Sequence, residues 1–521
     1  MDLVARTRRL DADVELLAFA SGTADATGPS TTTGPSSTAG ATGPSNTTGP
    51  SGSAGATGPS STTGPSSTAG ATGPSSAMAG GEGISDEQPA GLAAAGLAAA
   101  GVGVVFERGS TGFAGRGVAA RVALDDVEAT LAAIEVDDDV GRPGCGPVAF
   151  TALPFLPGAP AEAVVPAVLV AREADGTRWI TTIGPSSGTP PHEPRHEDEH
   201  DHEHRHEDEH DHEHRHGDDH EHRHEHRHEH GTTPSSPGGT RTDRAGVGPS
   251  AFEVRASRPP SDWCDAVAAA TAAIRSGRLD KVVLAREVLV QADAPLPVAA
   301  ILEHLRAAYP GCFLFHVDGF LGASPELLVS RHGDVVRAQP MAGTAPRRGD
   351  PAADQRLAGR LLASATYRRE HQVTIEVVHD TLLPFCSYLD YEAEPSVVAL
   401  ANVQHLATTV EGRLSSPPAS VLELVRALHP TPAVCGRPRH AALALIAELE
   451  GLDRGRYAGA VGWVDAAGNG QFAVSIRCAE VEGAGARLWG GNGIVGDSDP
   501  TTELAETRSK LQAVLNAIVR P

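Results

Sequence analysis

The sequence predicts a protein of mixed strands and helices that carries two long low-complexity insertions. Three observations lead there. Short apolar runs rich in β-branched residues precede residue 185. Strand and helix patterns then alternate from Ala251 to the C-terminus. Between and before them lie stretches with almost nothing to bury.

Of the net charge of −24 over 521 residues, residues 192–230 supply −11, sixteen acids against five arginines. Such a balance argues against nucleic acid as a partner, because phosphate binding needs a basic surface. Six dispersed cysteines with no CxxC pair imply a reducing, cytoplasmic setting. The opening MDLVARTRRLDADVELL is charged throughout and offers no apolar core for a signal peptide. The Ala/Gly/Val run 91–106 falls short of the roughly 20 residues that span a bilayer. It is expected as a buried helix and strand, with no membrane partner.

Taken in order, residues 34–76 repeat a fifteen-residue unit almost three times, starting GPSSTAGATGPSNTT. With the flanking residues, about 27–80, this is expected as a flexible Gly/Ser/Thr/Pro insertion. Strands are expected in GVGVVFE, AFTALPFL and AVVPAVLVA, and a helix over 124–134. No catalytic constellation occurs in this half. Within a linker of about 186–250 comes HEDEHDHEHR, given twice from His196, in a tract that holds 16 of the 24 histidines. Imidazole and carboxylate could bind Zn²⁺ or Ni²⁺ loosely there. A solvated linker is favoured, because a site needs fixed geometry that low complexity does not supply. Residues 1–250 are expected as an N-terminal half without candidate chemistry and 251–521 as the catalytic region.

The candidate chemistry lies after Ala251. A helix over 263–276 precedes a strand, KVVLAREVLV, opened by Lys281. A strand pair, CFLFHVDGFLGASPELLVSRHGDVVRAQP, is interrupted at 322–326 by small residues that place Glu326 at a bend. A single helix over 354–383 puts Glu370 on a strip with Gly359, Ala363, Thr366, Val373, Thr374 and Val377. A carboxylate there needs a cation or hydrogen-bond donors. In the strand AVSIRCAEV, Arg477 is suited to hold a carboxylate in a bidentate fork.

The last stretch, WGGNGIVGDSDPTTELAETRSK, opens with Gly490, Gly491 and Gly493, expected as a loop whose N–H groups approach an anion. Asp499 is the natural N-cap and Pro500 the first helical residue of the helix that follows. Glu503, Glu506 and Lys510 fall on one face of that helix at i, i+3 and i+7. Its apolar stripe is Leu504, Leu511, Leu515 and Ile518. Two carboxylates opposite Glu370 suit a hard cation such as Mg²⁺.

Together KVVLAR, GASPELL, PMAGTAPRR, LLASATYRREH, HLATTVEG, LHPTPAVCGRP, YAGAVGW, SIRCAEV and GNGIV…ELAETRSKL resemble the chorismate-utilising enzymes, in order and spacing across residues 252–521. The resemblance implies an α+β fold of two similar halves, each an antiparallel sheet flanked by helices, around a buried active site. Four positions discriminate among family members. Lys281 stands where isochorismate and salicylate synthases use lysine to activate water, whereas anthranilate and aminodeoxychorismate synthases usually have glutamine. Ala342 replaces the nucleophilic lysine of aminodeoxychorismate synthases. Ala433 matches isochorismate synthases, so pyruvate elimination is not expected. Arg439 replaces a lysine of the anthranilate synthase motif.

The implied activity is Mg²⁺-dependent isomerisation of chorismate to isochorismate, for menaquinone or siderophore biosynthesis. Lys281 would be the base and Glu326 the acid, with Glu370, Glu503 and Glu506 on the metal. Arg477, Gly491, Gly493, His405, Ala433 and Lys510 would meet the substrate. A lysine of ordinary pKa, ~10.4, is neutral near pH 7.5 at a cost of about 4 kcal/mol, which burial and nearby cations reduce. With water as nucleophile no glutamine amidotransferase subunit is expected, and the chain is expected to act as a monomer. The rivals are a salicylate synthase, an anthranilate synthase component, and a metal-storage or metal-sensing protein built on the histidine tract.

Overall fold

Side chains alternate across a strand, so a strand with apolar residues on both faces must be covered twice. In the strand Gly103–Arg108, Val104 and Phe106 enter one core while Val105 enters another. In Phe313–Val317, Phe313 and Phe315 are divided from Leu314 in the same way. The computed structural model describes residues 3–10, 103–109, 111–186, 248–401 and 403–520. The fifteen-residue repeat, the histidine tract and the first part of the 91–106 run lie outside them.

Three sheets are present among the described residues. The first runs Phe252–Ala256, Lys281–Ala292, Gly485–Ile494, Cys478–Glu482, Phe320–Ser324, Phe313–Val317, Gly103–Arg108, Thr111–Arg116, Val168–Arg172, Arg178–Pro185, Leu3–Arg9, Glu135–Asp138. The short strand Gly436–Arg437 also joins Lys281–Ala292. The second runs Cys386–Tyr391, Val410–Leu414, Val335–Gln339, Leu327–His332, Gly470–Val474, Ala460–Asp465, Val148–Leu153, Glu162–Val165, Ala120–Ala123. A small third sheet holds Met341–Pro346, Val403–Ala407 and Ser396–Ala399. Pairing is antiparallel except between Leu3–Arg9 and Glu135–Asp138. Both large sheets draw strands from either side of residue 250.

The large sheets meet through aromatic rings, with Phe113 of the first 4.8 Å from Trp463 and 5.9 Å from Phe150 of the second. On its other face the first sheet is covered by helices Val298–Ala308 and Pro500–Val519, through Leu302, Leu305, Leu511, Val514 and Ile518. Helices Ala365–Leu382 and Val421–Leu428 pack on the second sheet. The architecture is the α+β arrangement of antiparallel sheets and flanking helices that the sequence predicts.

Local expectations hold where the signal is local. The helix expected over 263–276 spans Pro260–Arg275, and Lys281 opens the strand Lys281–Ala292. The helix expected over 124–134 is Val127–Ala132 after a 3₁₀ turn, Leu124–Asp126. Asp499 caps the last helix, its carboxylate accepting the Thr502 N–H at 2.8 Å.

Four expectations are corrected. The 354–383 segment is two helices, Pro351–Ala363 and Ala365–Leu382. Ser364 has ψ 116° between them, and its hydroxyl accepts the Tyr367 N–H. Gly359 and Ala363 therefore do not share the face of Glu370. The expected strand pair 312–340 is four strands, and the chain leaves the first sheet for the second at Pro325–Glu326. AVSIRCAEV is likewise divided: Gly470–Val474 belongs to the second sheet and Cys478–Glu482 to the first. Arg477 lies at that break with φ +54°, not in a strand. Finally, Gly490, Gly491 and Gly493 sit inside the strand Gly485–Ile494 rather than in a loop.

Candidate active site

The two changes of sheet bring Glu326 and Arg477 to one cavity of about 610 Å³, within the ~300–1,000 Å³ of small-molecule clefts. Lys281, Glu370, His405, Ala433, Gly491, Gly493, Glu503, Glu506 and Lys510 line the same space, as does Ala342. Arg439 does not. Its guanidinium donates to the carbonyls of Ala427 and Leu428 at the end of a helix, a favourable place for a cation.

Lys281 enters from the end of its strand, with Nζ 2.7 Å from Oε1 of Glu370. Its neighbour in the sheet explains one glycine. A Cβ on Gly493 would come within 2.5 Å of the Lys281 Cε, so a side chain there would block the lysine's path. A Cβ on Gly491 would come within 2.8 Å of the Tyr457 hydroxyl and of the Leu284 carbonyl. These glycines serve close approach in an extended strand, not a turn that cradles an anion. The backbone at Gly491 instead offers its carbonyl to Lys510, at 3.0 Å.

Glu326 is 5% exposed, and its hydrogen bond is a long one, 3.5 Å, from the Met341 N–H. Burial disfavours the charged form and pushes this carboxyl up to about 7, against the opposing pull of the Met341 N–H, Lys281 and Arg477. It therefore carries a proton in much of the molecule near neutrality. His405 is pushed the other way, to about 3, first by burial and then by Arg477 and Lys510. It is a neutral imidazole, its Nδ1 3.0 Å from the Thr344 hydroxyl. The guanidinium of Arg477 has no hydrogen-bond or ion-pair partner among the described residues, and it faces the cavity.

On the last helix, Glu503 accepts from Asn492 Nδ2 and Ser498 Oγ, both at 2.8 Å, while burial raises its carboxyl. Glu506 lies 2.7 Å from Lys510 Nζ, which also donates to Asn492 Oδ1 at 2.7 Å. Burial lowers the Lys510 ammonium, against the field of Glu506. The expected i, i+3, i+7 face is thus the face that lines the cavity.

Glu370, Glu503 and Glu506 are hard oxygen donors on one cavity, the chemistry Mg²⁺ prefers. They share one field. Tyr367 is pushed up first by burial and then by Glu506, Glu370 and Glu503. Each carboxylate already has a protein partner, and no three such groups lie close enough to enclose an ion among the described residues. The donor set fits a cation that keeps several waters of its own.

Two lining tyrosines were not selected from the sequence. Tyr457 is buried and stacks on Trp489, with ring centroids 5.9 Å apart and planes at 12°, while its hydroxyl reaches the cavity. Tyr367 stands three residues before Glu370, one turn away on the same helix. In a chain with five tyrosines, that i, i+3 spacing was the available signal for Tyr367.

Because the folded-state value for Glu326 lies above the ordinary 4.5, its favourable contribution is full below about pH 4.5 and is lost as pH rises through about 7. Glu326→Gln removes that loss. Urea unfolding should find the variant more stable than wild type at pH 8, by on the order of 3 kcal/mol, with the advantage shrinking at pH 5. An advantage that does not grow with pH would contradict the burial argument.

The family model described as chorismate binding enzyme matches residues 95–519. Isochorismate synthase DhbC of Bacillus subtilis (strain 168) is 40% identical over 278 residues, 51% of this chain and 70% of the relative. Isochorismate synthase EntC of Escherichia coli (strain K12) is 41% identical over 255 residues, 48% of this chain and 65% of the relative. The solved structure of MenF, the menaquinone-specific isochorismate synthase from Escherichia coli, superposes with TM-score 0.63 at 22% identity. That match covers 83% of this chain and 92% of MenF, and shows the shared fold. The chain belongs to the chorismate-binding enzyme family.

Proposed function

We propose that this protein is an isochorismate synthase, converting chorismate to isochorismate by adding water at ring C2 and releasing the C4 hydroxyl. The supporting observation is a lysine and a buried glutamic acid on one cavity, Lys281 and Glu326, the second in surroundings that favour its protonated form. Lys281 takes a proton from water as its oxygen bonds to C2, the double bonds shift, and Glu326 gives its proton to the departing C4 oxygen. One water enters and one leaves. In the reverse direction the two residues exchange roles, so the reaction runs both ways.

Arg477, whose guanidinium has no protein partner among the described residues, is suited to a carboxylate on the enolpyruvyl arm. Neutral His405 and buried Lys510 line the space around the ring, and the small side chain of Ala433 leaves room beside it. Mg²⁺ would be held by Glu370 and Glu506, with Glu503 acting through water, and when bound it supplies positive charge against the ring carboxylate. To hold it, Glu370 and Glu506 would exchange their lysine partners for the cation. The product would feed menaquinone or a catecholate or salicylate siderophore, in the cytoplasm.

Incubation with chorismate and Mg²⁺ followed by chromatography should give isochorismate as the major product. Salicylate and pyruvate in its place would overturn the proposal, and Lys281→Ala and Glu326→Gln should each lower kcat by about 10²–10⁴-fold with the fold retained. Titration calorimetry should find Mg²⁺ binding about tenfold or more weaker in Glu506→Ala. Unchanged affinity would remove Glu506 from the metal.

A further inference from the structure

The strand Lys281–Ala292 is fully paired on one edge only. Along that edge Gly485–Ile494 accompanies it from Val282 to Gln291. On the other edge Gly436–Arg437 pairs with Lys281 and Val282, and Phe252–Ala256 with Val288 to Ala292. Between them the ladder has a gap, two residues beyond the lysine assigned as the base.

Backbone bonds narrow it at either end, from the Val283 N–H to the Cys435 carbonyl at 2.8 Å and from the Ser257 N–H to the Glu287 carbonyl at 3.2 Å, and two side chains fill the rest. Arg454 Nη2 donates to the Val283 carbonyl at 2.7 Å, and Glu450 Oε1 accepts the Ala285 N–H at 2.7 Å. The same guanidinium donates through Nη1 to the Val434 carbonyl at 3.0 Å and through Nε to Glu450 Oε2 at 2.9 Å. Its plane lies over Phe155, 4.1 Å from the ring centroid, and the Arg454 carbonyl accepts the Tyr457 N–H at 2.9 Å. Both side chains are almost wholly buried, at 3% and 2% exposure. Val283, Val434 and Tyr457, the three residues so joined, all line the active-site cavity.

We propose that Glu450 and Arg454 are positioning residues for the reaction: they replace the missing strand and fix the Lys281 strand, the Ala433–Val434 loop and Tyr457 relative to one another. Arginine is required for this. Its planar fork meets three acceptors at fixed angles, whereas a lysine ammonium keeps the charge beside Glu450 without the geometry. A buried pair whose purpose was only stability would be replaceable at similar activity, since such pairs contribute little net stabilisation.

The test compares Arg454→Lys and Glu450→Gln with Phe113→Leu, a change between the sheets that destabilises without touching the cavity. Each full-length variant is assayed at 15 °C, where circular dichroism shows which of them are folded. The kinetic part rests on the isochorismate synthase assignment. A second readout does not: the rate at which an amine-specific acylating reagent modifies Lys281, followed by peptide mass spectrometry. Expected are a kcat about 10–100-fold lower with KM within about threefold for Arg454→Lys, and a Lys281 modification rate changed at least threefold. Phe113→Leu should keep both within twofold. If Arg454→Lys does not fold, Glu450→Gln carries the same expectations. Variants of the pair that keep the wild-type Lys281 modification rate overturn the inference, whether or not chorismate is turned over. Absence of turnover in wild type with a changed modification rate would instead sink the activity assignment and leave the positioning role supported.

Discussion

The site depends on the two places where the chain passes from one large sheet to the other. At Pro325–Glu326 and at 475–477 the ladder of one sheet ends before that of the next begins. Residues at such a passage are released from strict strand geometry, and Arg477 takes a left-handed φ of +54° there. Both passages open on the same cavity, so a carboxyl and a guanidinium are held between layers whose cores fix them from either side. The carboxyl of Glu326 is then too buried, and too weakly hydrogen-bonded, to stay ionised at the usual carboxylate pH.

Pairing among the remaining charges gives the cavity its character. Lys281 meets Glu370, Lys510 meets Glu506, and Glu503 is held by Asn492 and Ser498. Arg477 and Glu326 stand apart from these pairs. One offers a fork for a carboxylate and the other a proton, two of the functions that the proposed reaction asks of protein groups beside the base.

What was legible in the sequence was local. The cap at Asp499, the proline after it and the spacing of Glu503, Glu506 and Lys510 are contained in twelve residues, and the helix formed as read. The glycines of Gly485–Ile494 were misread because a missing Cβ serves a positive φ and a close approach equally, and the sequence does not distinguish them. Ser364 ends one helix and caps the next, yet its neighbours Ala363 and Ala365 are good helix formers, so nothing in the pattern marked the break. The passage at Arg477 was hidden because both flanking segments are strand-like, and which sheet each joins is a tertiary fact. Glu450 and Arg454 drew no notice either: their partners Ala285 and Val283 are 165 and 171 residues away.

In the proposed reaction the hydroxyl arriving at C2 comes from solvent water under the action of Lys281, while the C4 oxygen departs with the proton of Glu326. Turnover of unlabelled chorismate in H₂¹⁸O, stopped within the first few per cent of reaction and read by mass spectrometry, tests it most directly. Isochorismate carrying one ¹⁸O at C2 is the predicted result. Unlabelled isochorismate would mean that the original hydroxyl had migrated within the substrate, which contradicts the proposed division of labour between the two residues.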